Sequence, residues 1–237
     1  MKNIEQWKAE LKKAAKPEKI EILSRFFKTG KGEYGEGDIF IGLTVPENRK
    51  ISVKKFKLNL DEIKEMLASK EHEFRLAALI ALIMKYEKAK KEEGRKEEIV
   101  KFYLENTENI NNWDLVDLSC PQIIGDYTRT HGTETIEKLS ESKNLWEQRI
   151  AIVSTLKLIR NGEYRPTLKI AEKYLQHPHD LIHKASGWML REIGKKDRET
   201  LREFLEKHAH EMPRTMLRYA IEKMDVKERK MWLDKGK

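Results

Sequence analysis

The chain has 237 residues, of which 39% are hydrophobic and 37% are charged. It contains 48 Lys and Arg and 40 Asp and Glu, which gives a formal net charge of +8. This apolar fraction can form a continuous core, which argues against a disordered chain, and the longest apolar run, Leu76 to Met84, covers about half a bilayer span. The charge favours an anionic partner such as nucleic acid, although dispersed Lys and Glu on helix surfaces reach the same balance. With no apolar signal segment at the start, we expect a soluble cytoplasmic protein without membrane contact.

Apolar residues recur at three- and four-residue spacing along almost the whole chain, which predicts an all-α protein. The predicted helices cover residues 3–15, 17–29, 46–55, 60–69, 71–87, 94–107, 111–128, 132–142, 145–160, 164–176, 180–194, 196–208, 212–223 and 226–235. The exception is the glycine-rich stretch from Gly30 to Asp38, which predicts an exposed loop. No Gly-Lys-Ser/Thr follows it at the spacing of a nucleotide-binding P-loop.

Four residues near the starts of long predicted helices recur at intervals of about 35 to 38 residues: Arg75, Trp113, Arg149 and Lys184. A helix pair with its turns takes about this length, as in HEAT-type arrays of roughly 40 residues per unit. The spacing predicts one α-solenoid domain over residues 1–237, with these four helices along its concave wall. A coincidence of helix spacing is the alternative explanation.

The most informative segment surrounds Trp113. Asn111 or Asn112 can cap the helix that follows, and Asp114 suits its positive first turn, so these three residues have a structural explanation. Asp117 lies four residues after Trp113, which places an indole and a carboxylate side by side on one helix face. In the alternative interpretation, Asp117 pairs with a neighbouring arginine and Trp113 packs in the core.

The repeat spacing adds a second tryptophan, because Trp188 follows Lys184 by the same four residues. Two indoles, the Asp117 carboxylate and the Arg149 guanidinium would then face one groove. An acid beside a cationic substrate stays ionised, and indole faces attract cations. A groove with a basic rim and an aromatic, acidic centre suits a polyanion that carries a local positive charge, such as DNA with an N-alkylated purine.

Other candidate residues are weaker. His179 and His183 have the spacing of helical metal ligands, but no accompanying Glu follows His179, so we expect no metal site and no cofactor. The basic run at residues 88–96 is interleaved with Glu, which is typical of a solvated helix end. Cys120, the only cysteine, excludes an internal disulfide and lies on an apolar stripe with Val116, where a core residue is favoured over a nucleophile.

Five segments, taken together and in order, resemble the HEAT-like DNA alkylation repair glycosylases of the AlkD type over nearly the whole chain. They are Tyr34-Gly35-Glu36-Gly37-Asp38, Phe40-Ile41-Gly42-Leu43 with Pro46 and Arg49, Trp113-Asp114-Leu115-Val116-Asp117, Asn144-Leu145-Trp146-Glu147-Gln148-Arg149, and Gly187-Trp188-Met189-Leu190-Arg191-Glu192. The resemblance implies a right-handed solenoid with a concave DNA-binding surface.

The resemblance also implies roles for individual residues. The family's catalytic carboxylate lies in a Trp-Asp-x-Val-Asp helix, which matches Asp117, while its cleft tryptophans match Trp113 and Trp188 and its functional arginine matches Arg149. Family branches that have lost the acid and one indole bind DNA without excising bases. Where some members have a glutamine that approaches the duplex, this sequence has Thr44.

We therefore expect a monofunctional glycosylase that excises cationic N3- and N7-alkylated purines from double-stranded DNA without a base-flipping pocket. Its expected DNA contacts are Thr44, Arg75, Arg149 and Lys184, and Arg149 either binds phosphate or orients Asp117. We expect a monomer with no obligate protein partner. A non-excising binder of distorted or branched DNA and a helical-repeat adaptor for acidic proteins are the alternatives.

The excess of basic residues leads to a prediction about salt. Binding to duplex DNA should weaken steeply as salt rises, by on the order of one released counterion per phosphate contact. A titration at several salt concentrations measures this slope, and affinity that does not respond to salt would contradict the basic-groove interpretation.

Overall fold

The computed structural model describes residues 2–235, and these residues form helices joined by short connections, as the periodicity predicts. The α-helices are α1 Lys2–Ala14, α2 Ile20–Phe26, α3 Val45–Ser52, α4 Leu60–Leu67, α5 His72–Ala89, α6 Glu93–Glu105, α7 Trp113–His131, α8 Glu134–Ser140, α9 Leu145–Ser154, α10 Leu156–Arg160, α11 Arg165–Lys173, α12 Asp180–Lys196, α13 Arg198–His208, α14 Arg214–Ala220 and α15 Val226–Lys235. Short 3-10 turns cover Pro17–Lys19, Val53–Lys55 and Thr107–Asn109. Within residues 2–235 the only β-type feature is an isolated bridge between Ile39 and Glu71, so the all-α class is confirmed.

Two predicted helices differ from those observed for local reasons. The helix predicted over 17–29 ends at Phe26, because Lys28 adopts a left-handed φ of 57° that an α-helix cannot include. The helix predicted over 145–160 is interrupted at Thr155, whose amide and hydroxyl both donate to the carbonyl of Ile152. That local bonding competes with the regular helical ladder.

The chain divides into two compact units, Met1–Ser119 and Cys120–Lys237, and the division falls within α7. In the first unit, α5 packs against α3, α4 and α6. Residues 72–83 of α5 are all buried, which explains the long apolar run in this segment. A helix that is apolar all round is a central helix, so α5 forms the core of this unit.

In the second unit the central helix is α12, which packs against α9, α10, α11, α13 and α14. At Gly187 a Cβ atom would lie 2.4 Å from the carbonyl oxygen of Met216, so only glycine permits the close approach of α14.

In the part of the chain from residue 2 to residue 235, no helix is long and apolar enough to span a membrane.

The segment before α3 is held by a buried carboxylate. Glu73 is 1% exposed and accepts from the backbone amides of Ile41, Gly42 and Leu43 at 3.0, 2.9 and 3.0 Å. Asn48 of α3 donates to the Glu73 carbonyl at 2.7 Å. These bonds attach the chain that follows the glycine-rich loop to the start of α5.

Gly42 provides a test of this arrangement. Its φ is +87° and a Cβ atom would lie 2.0 Å from the carbonyl oxygen of Lys16, so Gly42→Ala should lower the free energy of unfolding by about 1 to 3 kcal/mol or more. Gly94→Ala is the control, because a Cβ at that helical position meets open space, and it should be neutral or slightly stabilising. Chemical denaturation compares them, and equal stability of the two variants would contradict the argument.

Candidate functional site

A cluster of four charged side chains is buried at the start of α5, in the first unit. The His72 side chain is 1% exposed, with Nδ1 3.0 Å from Asp38 Oδ2 and Nε2 2.8 Å from Asp114 Oδ2. The ring can donate to both carboxylates only when both nitrogens carry a proton, so the geometry is that of an imidazolium. Arg75 Nη2 donates to Asp38 Oδ1 at 2.6 Å. The cluster therefore contains two cations and two anions.

The pKa values of the cluster reflect this pairing. Burial disfavours the imidazolium, but the charge of Asp114 and the hydrogen bonds to Asp114 and Asp38 outweigh it and raise the pKa of His72 from 6.5 to about 9. Burial also disfavours the Asp38 carboxylate, yet His72 and Arg75 hold its pKa below the usual value. Because the pKa of His72 is raised on folding, its contribution to stability is complete below about pH 6.5 and is lost as pH rises through about 9.

Aromatic rings connect this cluster to Trp113, the first residue of α7. The Phe40 ring stacks on His72 at a centroid distance of 4.6 Å, and Phe27 stacks on Phe40 at 5.1 Å. The indole of Trp113 stacks on Phe27 at a centroid distance of 5.2 Å and an interplanar angle of 18°, and Phe26 lies edge-on to it at 5.7 Å. Trp113 is half-buried and Phe26 is 60% exposed, so the stack runs from the buried cluster to the surface.

The backbone of Trp113 is also fixed. Asn112 is fully buried, and its Oδ1 accepts from the Trp113 amide at 2.8 Å while its Nδ2 donates to Asp38 Oδ2 at 3.2 Å. Of the two predicted capping residues, Asn111 and Asn112, it is Asn112 whose side chain accepts from the first amide of α7. Asp114, on the other side of Trp113, binds His72. The two residues that flank Trp113 thus both belong to the network around His72.

Asp117 lies one helical turn after Trp113 on α7 and is half-buried like it. The predicted apolar stripe of this helix is largely confirmed, since Val116, Cys120 and Ile123 are fully buried and only Tyr127 is partly exposed. Asp117 consequently lies beside the buried stripe, at its border with the surface.

In the second unit, Trp188 lies in the middle of α12 and is half-buried. Its indole Nε1 donates to Glu192 Oε1 at 3.1 Å, one turn further along the helix. Glu192 also pairs with Lys195 at 2.6 Å. These contacts fix the orientation of the indole.

Arg149 lies on α9 and is 5% exposed. Its Nη1 donates at 2.6 Å to the carbonyl oxygen of Leu181, in the first turn of α12. Lys184, one turn further on α12, is 41% exposed at its side chain and pairs with Asp180 at 2.7 Å. Arg149 therefore ties α9 to the start of the helix that carries Trp188.

Two of the predicted DNA contacts lie in the first unit. Thr44 caps the start of α3, where its backbone amide and hydroxyl both donate to Glu47. Arg75 is 4% exposed and, besides Asp38, donates to the carbonyls of Ser69 and Lys70. So much burial and bonding argues against a direct phosphate contact by Arg75.

The remaining candidates have local roles. His179 caps α12 by accepting from the amide of Leu181. The His177 side chain is hydrogen-bonded to Gln148, and the His183 side chain is hydrogen-bonded to the backbone carbonyl of His177. No group of three or more His, Cys, Asp or Glu within residues 2–235 could hold a metal ion. Cys120 is buried, as the apolar stripe predicts.

Sequence reasoning missed two residues of the cluster, His72 and Asp38, and did not identify His72 as the partner of Asp114. The stretch from Gly30 to Asp38 is mostly exposed as predicted, but Gly35 is buried and the Asp38 side chain is 5% exposed, because Asp38 pairs with His72 and Arg75. One signal was present in the sequence. His72 and Arg75 stand one turn apart at the start of the most apolar helix, where charged side chains are expected only with partners.

Comparisons with known proteins give one family match and a structural match. A family model described as "DNA alkylation repair enzyme" matches residues 7–224. Among the solved structures that match is a predicted DNA alkylation repair enzyme from Enterococcus faecalis, with a TM-score of 0.68 and 17% identity over 90% of this chain and 97% of that chain. At that identity the likeness establishes a shared fold. The comparison with curated proteins finds no match.

The burial of Arg75 leads to a prediction that separates its two possible roles. Arg75→Met leaves the buried Asp38 carboxylate with one cation fewer and should lower the free energy of unfolding by about 3 to 5 kcal/mol. Arg25→Met is the control, since Arg25 belongs to an exposed pair with Glu21, and removing such a pair should cost about 0 to 1 kcal/mol. Denaturation curves measure both effects. If Arg75 contacted phosphate instead, the folded Arg75→Met protein would lose DNA affinity at nearly unchanged stability.

Proposed function

The chain belongs to the DNA alkylation repair enzyme family, and on this premise we propose that it is a monofunctional DNA glycosylase of the AlkD type. Its proposed substrates are cationic N3- and N7-alkylated purines in duplex DNA, and the reaction hydrolyses their N-glycosidic bond. The observation that carries the proposal is the pair of Trp113 and Asp117, one turn apart at the border of the buried face of α7. An indole and a carboxylate, both half-buried, thus lie one turn apart on α7.

The chemistry of such lesions requires little beyond this pair. The positive charge of an alkylated purine already weakens its glycosidic bond, so the leaving base needs no general acid. The remaining barrier is the positive charge that develops on the deoxyribose. A carboxylate at Asp117 would stabilise that charge and orient the attacking water, as carboxylates do in sugar hydrolysis.

The two tryptophans would hold the deoxyribose in position. A sugar with cationic character is attracted to an indole face, and flat rings on two sides of it would exclude competing water. The contact of Trp113 with Phe27 and that of Trp188 with Glu192 hold both rings in one orientation. This rigidity supports a role as preformed surfaces.

Arg149 has two candidate roles, contact with phosphate and orientation of Asp117, and its burial, like that of Arg75, argues against the first. Its bond to Leu181 adds a third contribution, because it fixes the start of the helix that carries Trp188. Loss of Arg149 should therefore affect Trp188 as well as any phosphate contact.

We further propose that the repeats form one right-handed HEAT-like solenoid, with Trp113, Asp117, Arg149 and Trp188 on its concave surface. Affinity would come mainly from basic side chains along that surface, with Lys184 and Thr44 among the contacts. Excision would depend on the intrinsic lability of cationic lesions rather than on a pocket that reads an extruded base, so neutral lesions should be poor substrates.

The decisive variant is Asp117→Asn, which preserves size and removes the charge. Loss of one well-placed electrostatic group costs about 3 to 4 kcal/mol of transition-state stabilisation, so the rate of 7-methylguanine release should fall roughly a hundred- to a thousandfold. Binding to undamaged duplex should stay equal or tighten slightly, because a negative charge near the phosphates is gone. Single-turnover release, a binding titration and a melting curve measure the three quantities.

Asp126→Asn is the matched control, since Asp126 lies on the same helix and pairs with Lys157 at 3.3 Å. It should excise at the wild-type rate. Wild-type excision by a well-folded Asp117→Asn protein would contradict the assignment of Asp117. Binding without excision by the wild type would instead favour the non-excising binder of distorted or branched DNA.

A further inference from the structure

The cluster around His72 contains more charged residues than the first turn of α7 requires. Asn112 supplies an acceptor for the Trp113 amide, and an acidic residue such as Asp114 is favourable in a first turn without any buried partner. Buried ion pairs are costly to desolvate and are often no more stabilising than packed apolar side chains. Packed apolar side chains could give comparable stability, so stability does not explain why an imidazolium occupies this place.

Two bonds of the cluster lead to the residues that flank Trp113. His72 holds Asp114, which follows Trp113, and Asp38 holds Asn112, which precedes it. The second oxygen of Asp114, Oδ1, is buried and accepts no hydrogen bond from any residue between 2 and 235. The Asp114 carboxylate is therefore held through its other oxygen, Oδ2, by His72.

The rings provide a second connection. Phe40 and Phe27 lie between the imidazolium and the indole of Trp113 at centroid distances near 5 Å. Phe27 contacts both rings, so movement of the His72 ring would displace a neighbour that touches Trp113 directly.

We propose that His72 is a positioning residue for the reaction described above: as an imidazolium between Asp38 and Asp114, it fixes the first turn of α7 and with it the indole of Trp113 and the carboxylate of Asp117. The charged groups that face it are Asp38 from the glycine-rich loop, Asp114 from α7 and Arg75 from α5. Loss of its proton leaves this buried set with a net negative charge, and one carboxylate must then give up its bond to the ring. The effect on excision rests on the proposed function, but the coupling of His72 to Trp113 does not.

The coupling can be measured without any activity. The protein has five tryptophans, so labelling with 5-fluorotryptophan gives five fluorine resonances, and the Trp113→Phe variant identifies that of Trp113. In the wild type, the Trp113 resonance should shift with a midpoint near pH 9, the value to which the two carboxylates raise the pKa of His72. The titration should be absent in His72→Gln.

Asp114→Asn keeps the histidine and removes one of its two anionic partners, so the midpoint should move from about 9 towards 6.5. This variant decides the question even where His72→Gln does not fold. The control is His208→Gln. His208 is the last residue of α13 and pairs with Glu211, and its loss should leave the Trp113 titration unchanged. A Trp113 resonance that is flat between pH 6 and 10 in the wild type, or a midpoint unmoved by Asp114→Asn, would overturn the proposal.

Excision supplies the second measurement. The single-turnover rate should lose most of its value as pH rises through 9 while the dissociation constant for the duplex stays within about twofold. The single-turnover rate of His72→Gln should be about a hundredfold lower at pH 7, the effect of a misplaced reacting group. This rate should not fall further as pH rises through 9. An unchanged His72→Gln rate would contradict the positioning role. Absence of excision in the wild type would reject the proposed function alone, because the fluorine titration stands independently.

Discussion

The balance of four buried charges at the start of α5 is the constraint on which the first unit depends. His72 pairs with both Asp38 and Asp114, Arg75 pairs with Asp38, and removal of any one of the four side chains would leave the cluster with an uncompensated charge. This balance brings together three segments that are distant in sequence: the end of the glycine-rich loop, the first turn of α5 and the first turn of α7. The loop, whose glycines alone would leave it mobile, is thereby fixed against the helix that carries Trp113.

The second unit uses the same principle with different residues. There a buried arginine on α9 binds the first turn of α12, and α12 carries Trp188. In both units a buried cation holds the start of the helix on which a candidate functional indole lies, and the indole itself is only half-buried. Side chains on helices whose ends are fixed in this way are suited to preorganised chemistry, which requires groups held near their productive geometry before the substrate binds.

Much of this arrangement could be predicted from the sequence, because the period of 3.6 residues places helices and faces directly. That period located α5, α7 and α12 and put Trp113 one turn from Asp117. The end of α2 and the break at Thr155 could not be predicted, since they depend on one residue's backbone angle and one hydroxyl. The cluster of His72 was missed for a different reason. Its partners Asp38 and Asp114 lie 34 and 42 residues away in the sequence, and no local pattern reveals which distant carboxylates meet a histidine.

The most direct test of the account compares two lesions in one duplex context, a cationic 7-methylguanine and a neutral hypoxanthine, under single-turnover conditions. If the protein stabilises the sugar cation of an already weakened bond, 7-methylguanine should be released as the free base, leaving an abasic site, while hypoxanthine should stay in the duplex. Release of both bases at similar rates would contradict the reliance on lesion charge. Release of neither base would contradict the assignment of excision to this chain.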